Sequence, residues 1–369
     1  MRYSLIVTCV LVLFSGFVGC NGTADSAGDS TVAGGTNVPT VKDDLQANVG
    51  QDAAENENSM VAKGDPSDSG SSAKKNSVAN SNRKSKADSN MASKVDHQDP
   101  TSYPVTKLDA KEAGQIAMLS WNVESDGSEA ETICDTLTEL NAGDRYDIVA
   151  LTEVLPENLK KFRIALGMHY KYAYSKSGRN DRMQILFNEN RFEKVKHFEI
   201  QELNYNNRYR APMVALLKER KTEARPSEMQ FMVMVNHLVR GKAELRQKQA
   251  TALVDWARKQ NQPVFALGDY NFDYVFETDK GNRSFTNFMQ DNVWRWVTPT
   301  EMVDTNWYDD PESPDGKDDY PGSMLDFAFV AGSAKDWQST CTIIVREGDF
   351  PDDKKKSDHR PYELITTAK

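Results

Sequence analysis

Side chains able to hold a hard metal ion or move a proton stand at the ends of successive apolar runs. Asn122 follows AMLSW, Glu153 follows IVALT, His237 follows MVMVN, and Asp269, Asn271 and Asp273 crowd the end of PVFALGDYNFD. Asp326 opens DFAFV, and Asp358-His359 comes just before RPYELI. Taken singly, an Asn or Asp after a strand is ordinary turn chemistry. Taken together, they form one inventory of hard oxygens combined with two of the chain's 5 histidines. Hard oxygens suit ions such as magnesium, and an imidazole suits proton transfer because its pKa lies near neutrality. Chemistry of that kind needs all of them in one crevice.

The elements that could bring them together are short, dense apolar runs: QIAMLSWNV, YDIVALTEV, MQILFN, APMVALLK, QFMVMVNHL, PVFALGDYN, MLDFAFV and TCTIIVR. Continuous rather than alternating hydrophobicity predicts strands covered on both faces. Leu245, Ala252, Leu253 and Trp256 recur at helical spacing over Ala243 to Lys259, and Ile133, Leu137 and Leu140 do so over Glu129 to Leu140. The class is α/β; periodicity alone does not separate a sandwich of two sheets from one doubly wound sheet. Within PVFALGDYNFD, Gly268 is expected to let the backbone turn at the strand edge. Asp269 and Asn271, two apart, face the same way if the chain stays extended.

The rest of the chain limits what this core belongs to. Residues 1–20 carry Arg2 and the run LIVTCVLVLFSGFVG, shorter than a membrane span and typical of an export signal. The run closes on GFVGC, which resembles the lipobox of bacterial lipoproteins, with Cys20 as the acylated residue and Phe17 bulkier than the usual aliphatic side chain. Residues 21–110 are Ser, Asn, Asp, Ala, Gly and Lys with Tyr103 as the single aromatic. They are expected to form a disordered tether with a reach of roughly 50 Å. Residues 111–369 suffice for one large domain. Its cysteines, Cys134 and Cys341, are expected as free thiols, and no Cys/His cluster has zinc spacing.

The words SWNV, LTEV, NHL, GDYNFD, MLDFAFV and SDHRP stand in the order and approximate spacing of the endonuclease/exonuclease/phosphatase superfamily, which the domain resembles from Lys111 to Lys369. The resemblance implies a four-layer sandwich, two mixed β-sheets flanked by helices. It also implies a magnesium site, with manganese or calcium as alternatives, at Asn122, Glu153 and Asp358. His359 corresponds to the general base and Asp326 to the carboxylate that orients it, an arrangement chemically akin to a catalytic triad. His237 corresponds to the histidine that binds phosphate or protonates the leaving group. The abasic-site repair branch has tyrosine there, so NHL argues against that branch. Asp269 would hold the metal shell or a water, and the neutral Asn271 would donate to a phosphoryl oxygen. In pancreatic deoxyribonuclease a glutamate after a GRN segment supports the histidine matching His237. The corresponding SGRNDRMQILF offers Arg182, Met183 and Gln184, which leaves that support open.

Arg179, Arg182 and Arg240 are expected to bind phosphate, for which guanidinium geometry is suited; Lys242 and Arg246 fit a solvated helix face equally well. The expected partners are nucleic acid or another phosphodiester, and a membrane through a lipid on Cys20, with the protein monomeric and in the bacterial cell envelope. Nuclease action is the leading reading, with hydrolysis of phospholipid or sugar phosphate as the alternative and a non-catalytic binding protein behind both. The acidic loop Tyr308 to Gly322 would repel a nucleic-acid backbone if it faced the cleft.

Overall fold

The computed structural model describes residues 102–124, 127–223, 228–275, 278–309, 320–349 and 355–369. The expected export signal, Cys20, the expected tether up to residue 101 and most of the acidic loop lie outside the described residues.

In chain order the first elements are β1 (Ile116–Asn122), α1 (Ala130–Leu140), β2 (Ile148–Val154), α2 (Leu159–Leu166), β3 (Tyr170–Tyr174) and β4 (Arg182–Asn188). They are followed by β5 (Phe192–Glu199), β6 (Met213–Glu219), β7 (Gln230–His237), α3 (Ala243–Ala257), β8 (Val264–Tyr274) and α4 (Arg283–Phe288). The last are β9 (Arg295–Trp296), β10 (Asn306–Tyr308), β11 (Tyr320–Ala331), β12 (Gln338–Ile343) and β13 (Tyr362–Thr367).

These strands make two mixed sheets. The six-stranded one has the order β12-β13-β1-β2-β4-β3, and the seven-stranded one runs β10-β11-β8-β7-β6-β5 with β9 pairing on β11. Each sheet has one parallel pair, β1 with β2 and β7 with β8, and every other pairing within the sheets is antiparallel. A parallel pair needs a crossover, which α1 supplies in the first sheet and α3 in the second.

The unbroken hydrophobicity of β1 follows from burial of both its faces. Ile116 and Met118 join the core between the sheets, while Ala117, Leu119 and Trp121 pack in a second core with Ile133 and Leu137 of α1 and Phe162 of α2. Side chains buried to this degree contribute roughly 1.5–3 kcal/mol each. Helices, sheet, sheet and helices thus form the four layers that the family resemblance implied, and the doubly wound single sheet is excluded.

Packing begins ahead of residue 111, where the composition changes. Tyr103 lies against the central core. The Thr106 amide donates to Val345 O at 2.9 Å, and the Val345 amide donates to Thr106 Oγ1 at 2.9 Å. Cys134 and the buried Cys341 are free thiols, as expected.

Candidate active site

The two parallel pairs place their functional residues at matching ends. In the first sheet, Asn122 closes β1 and Glu153 lies near the end of β2; in the second, His237 closes β7 and pairs in register with Asp269 of β8. The sheets face each other, so Asn122 Nδ2 reaches Glu153 Oε1 at 2.8 Å and, across the interface, Asp269 Oδ2 at 3.3 Å.

Irregular backbone aims these side chains. Glu153 has φ 56° where the pairing of β2 with β4 slips between Leu151 and Val154, so a bulge turns its carboxylate. Asn271, at φ 51°, lies where the register of β8 against β11 shifts. Asp269 and Asn271 therefore line the same cavity, but through a bulge rather than the extended alternation expected from the sequence. Gly268 is not at a strand edge either. It lies inside β8 with φ 125°, where a Cβ would stand 2.1 Å from the Asn236 carbonyl oxygen.

His359 and His237 each have a carboxylate. His359 Nδ1 is 2.7 Å from Asp326 Oδ2; with the proton on Nδ1, the lone pair of Nε2 is left for the cavity, where Asn122 Nδ2 stands at 3.3 Å. Burial alone would depress this imidazole's pKa, but Asp326, Asp358 and Asp269 hold it well above the ordinary value. The backbone around it is fixed from several sides. The Trp121 indole donates to His359 O at 2.8 Å, and Ser357 Oγ both accepts the His359 amide and donates to Asn122 O at 2.6 Å.

His237 Nδ1 is 3.2 Å from Asp181 Oδ1. Asp181 is the support that the sequence reading left open, and it directly follows the GRN segment. Arg210 pairs with its other oxygen and donates to the carbonyl oxygens of His237 and Leu238, tying the carboxylate to the strand end it serves. Burial opposes ionisation of Asp181, yet His237 and Arg210 keep its pKa below the usual value. Burial and Arg210 push His237 down, and Asp181 with Asp269 more than reverses this.

Glu153, His237 and Asp269 offer donor atoms within 4.8 Å of one another. Asp269 is 2% exposed, and burial raises its carboxyl pKa despite the two imidazoles nearby. Two carboxylates converging on Asn122 and imidazoles are a donor set that fits a divalent cation. Asp358, expected with the metal, stands outside this group. Its Oδ1 lies 3.7 Å from His359 Nε2, its Oδ2 accepts from Asn306 Nδ2 at 3.1 Å, and its amide donates to Glu124 Oε2 at 2.8 Å.

The cavity formed here has a volume of about 310 Å³ and includes Glu124, Arg240 and Leu325 in its wall. Of the three arginines expected to bind phosphate, Arg240 alone lines it. Arg179 lines a separate cavity with Lys176 and Arg208. Arg182 spends its donors on Arg179 O and Ser175 O and stacks over Tyr174.

The fold and the paired His–carboxylate geometry define a class, and the sequence matches the Endonuclease/Exonuclease/phosphatase family over residues 119–359, more than half of the chain. The chain belongs to that family, whose members are divalent-metal-dependent hydrolases of phosphate esters. No curated protein sequence matches it significantly. Among solved structures it is similar to D. rerio TDP2 complexed with single strand DNA product, at 14% identity and a TM-score of 0.51 over 69% of this chain and 99% of that one. An endonuclease/exonuclease/phosphatase from Bacteroides vulgatus gives the same identity, coverage and TM-score. The mannosyl-6-phosphatase Bt3783 of Bacteroides thetaiotaomicron is 16% identical with a TM-score of 0.48, over 69% of this chain and the whole of that one. At these identities the likeness is one of fold.

Proposed function

We propose that the domain hydrolyses phosphodiesters with magnesium held by Glu153 and Asp269, and that its first substrate is nucleic acid. The observation that supports this is the pair of imidazoles, His359 on Asp326 and His237 on Asp181, flanking one carboxylate group. A bound cation polarises the phosphoryl group and offsets charge on the leaving oxygen.

The side chains carry out the remaining steps. With a cation held at Asp269, part of the carboxylate charge that raises the His359 pKa would be offset, and the neutral imidazole would then accept a proton from the attacking water at Nε2, with Asp326 fixing the tautomer and stabilising the imidazolium. Asn122 orients Glu153 and Asp269 through its amide. Asn271 is committed on one side, Nδ2 donating to Leu238 O at 3.2 Å, and lines the cavity where a phosphoryl oxygen would sit. His237, whose pKa Asp181 and Asp269 raise against burial and Arg210, donates in its protonated form to a phosphate oxygen or to the leaving group. A purely binding protein has no need of two histidines each backed by a carboxylate.

Lipid attachment at Cys20 and a place in the bacterial cell envelope complete the proposal, resting on the GFVGC segment. Among the described residues no helix is long and apolar enough to cross a membrane. Mass spectrometry of the mature N-terminus tests the anchor, and an unacylated end other than Cys20 would remove it. For the activity, purified protein is offered DNA, RNA and sphingomyelin with magnesium or a chelator. Magnesium-dependent cleavage of DNA or RNA is expected; cleavage of sphingomyelin alone would replace the substrate and keep the mechanism.

A further inference from the structure

A second cavity of about 310 Å³ adjoins the catalytic one and shares Arg240, Asn271 and Leu325 with it. Arg246, Asp273, Asn306 and Ser323 complete its polar wall. Arg246 was compatible with a solvated helix face when judged by helical spacing, but it is 8% exposed. Its Nη1 donates to Val239 O at 3.0 Å, its Nη2 stands 3.7 Å from Asp273 Oδ2, and its Nε has no hydrogen-bond partner.

That leaves a permanent charge inside the protein with little to balance it. Asp273 is the acid paired with it. The Asp273 side chain is 59% exposed, lies beyond hydrogen-bond distance, and shares the same Oδ2 with Asn282 Nδ2 at 3.0 Å. Burial pulls the Arg246 pKa below that of an ordinary guanidinium, so the loss of water outweighs what Asp273 and the more distant Asp269 return. Among the described residues of this wall a nucleobase would find no aromatic ring on which to stack. A phosphate brings acceptor oxygens that match the guanidinium fork.

On the reading that the neighbouring cavity cleaves phosphoesters, the geometry points to a second phosphate subsite here. A phosphate next to the scissile one docks on Arg246, with Asp273 as the competing anion that it displaces. Asp273, which has no place in the catalytic set, thereby acquires a role in selectivity. The chain prefers substrates with phosphates in series over isolated diesters.

Two substitutions separate this from a structural role of Arg246. Arg246→Gln removes the charge but also the bond to Val239. Asp273→Asn leaves the shape intact, and asparagine tolerates the φ of 44° found there. The full-length protein with magnesium is given the thymidine dinucleotide dTpdT and its 5′- and 3′-phosphorylated forms. One terminal phosphate should raise kcat/KM about tenfold. Asp273→Asn should widen that preference, Arg246→Lys should keep part of it, and Arg246→Gln should abolish it. No preference for either terminal phosphate, or a preference unmoved or narrowed by Asp273→Asn, overturns the subsite. Calorimetry with pyrophosphate and magnesium measures the same subsite without turnover. If no dinucleotide is cleaved but Asp273→Asn tightens and Arg246→Gln weakens pyrophosphate, the catalytic reading fails and the subsite stands. If neither variant changes pyrophosphate binding, the subsite fails.

Discussion

The 2.7 Å contact between His359 Nδ1 and Asp326 Oδ2 joins the two sheets, since His359 precedes β13 of the first and Asp326 lies in β11 of the second. The acceptor of the water proton and its orienting carboxylate therefore meet only when the sandwich is closed. Asp326 Oδ1, also buried, has no hydrogen-bond partner, so the imidazole is the main recipient of this carboxylate's charge.

Asp326→Asn keeps the shape and removes that charge. The turnover number should fall by about 10²–10⁴-fold, with the circular dichroism spectrum unchanged. A loss under threefold would remove Asp326 from the mechanism.

Asp181→Asn tests what His237 does. If His237 protonates the leaving oxygen, the variant should lose about 10²-fold or more on DNA, whose leaving group is a poor alkoxide. It should lose far less on bis(p-nitrophenyl) phosphate, whose phenolate needs no proton. Equal losses on the two substrates would assign His237 to phosphate contact alone.

Glu153→Gln removes a charged oxygen from the metal group. The magnesium concentration giving half-maximal rate should rise at least about tenfold, the scale on which even outer-shell changes act. An unchanged magnesium requirement with lowered turnover would place the ion elsewhere.

Much of this was legible in the sequence, for a physical reason. Strands covered on both faces, such as β1 with Met118 on one side and Leu119 on the other, cannot disguise their hydrophobicity, and several of the residues at their ends line one cavity. β3 and β5 were missed because Tyr-Lys-Tyr-Ala-Tyr and Phe-Glu-Lys-Val-Lys-His-Phe-Glu belong to edge strands, where charged side chains meet solvent. β13 was missed because Glu363 interrupts it, a buried carboxylate that Arg145 neutralises from another element. In the site, Asp181 was overlooked although the signal was present, one residue after GRN. Glu124 gave none, since a polar residue beside a motif looks like turn chemistry, and Ser357, inside SDHRP, carried no sign of which backbone groups its hydroxyl would hold. The bulges at Glu153 and Asn271 leave no mark in composition, and helical spacing shows which face Arg246 occupies but not what covers it.

Alkali should unfold the domain cooperatively. Burial raises the phenol pKa of Tyr270 and Tyr362 well above the usual value, and Tyr362 accepts the Gly268 amide at 2.8 Å behind Asp269. The unfolded chain loses these protons near pH 10, while the folded one keeps them. Their contribution to stability is complete below about pH 10 and declines as pH rises above it. Phenolate absorbance should grow in step with loss of the circular dichroism signal. Complete phenol titration near pH 10 with the fold intact would contradict the burial of these groups.

The central claim is that His359 activates water in a magnesium-dependent phosphoester hydrolase. Its most direct measurement is hydrolysis of bis(p-nitrophenyl) phosphate by the intact protein and by His359→Ala, each with magnesium and with chelator. The intact protein with magnesium should release p-nitrophenolate, with release abolished by chelation and reduced by about 10²–10⁴-fold in His359→Ala. Turnover by His359→Ala equal to that of the intact protein, or turnover unaffected by chelation, would contradict it.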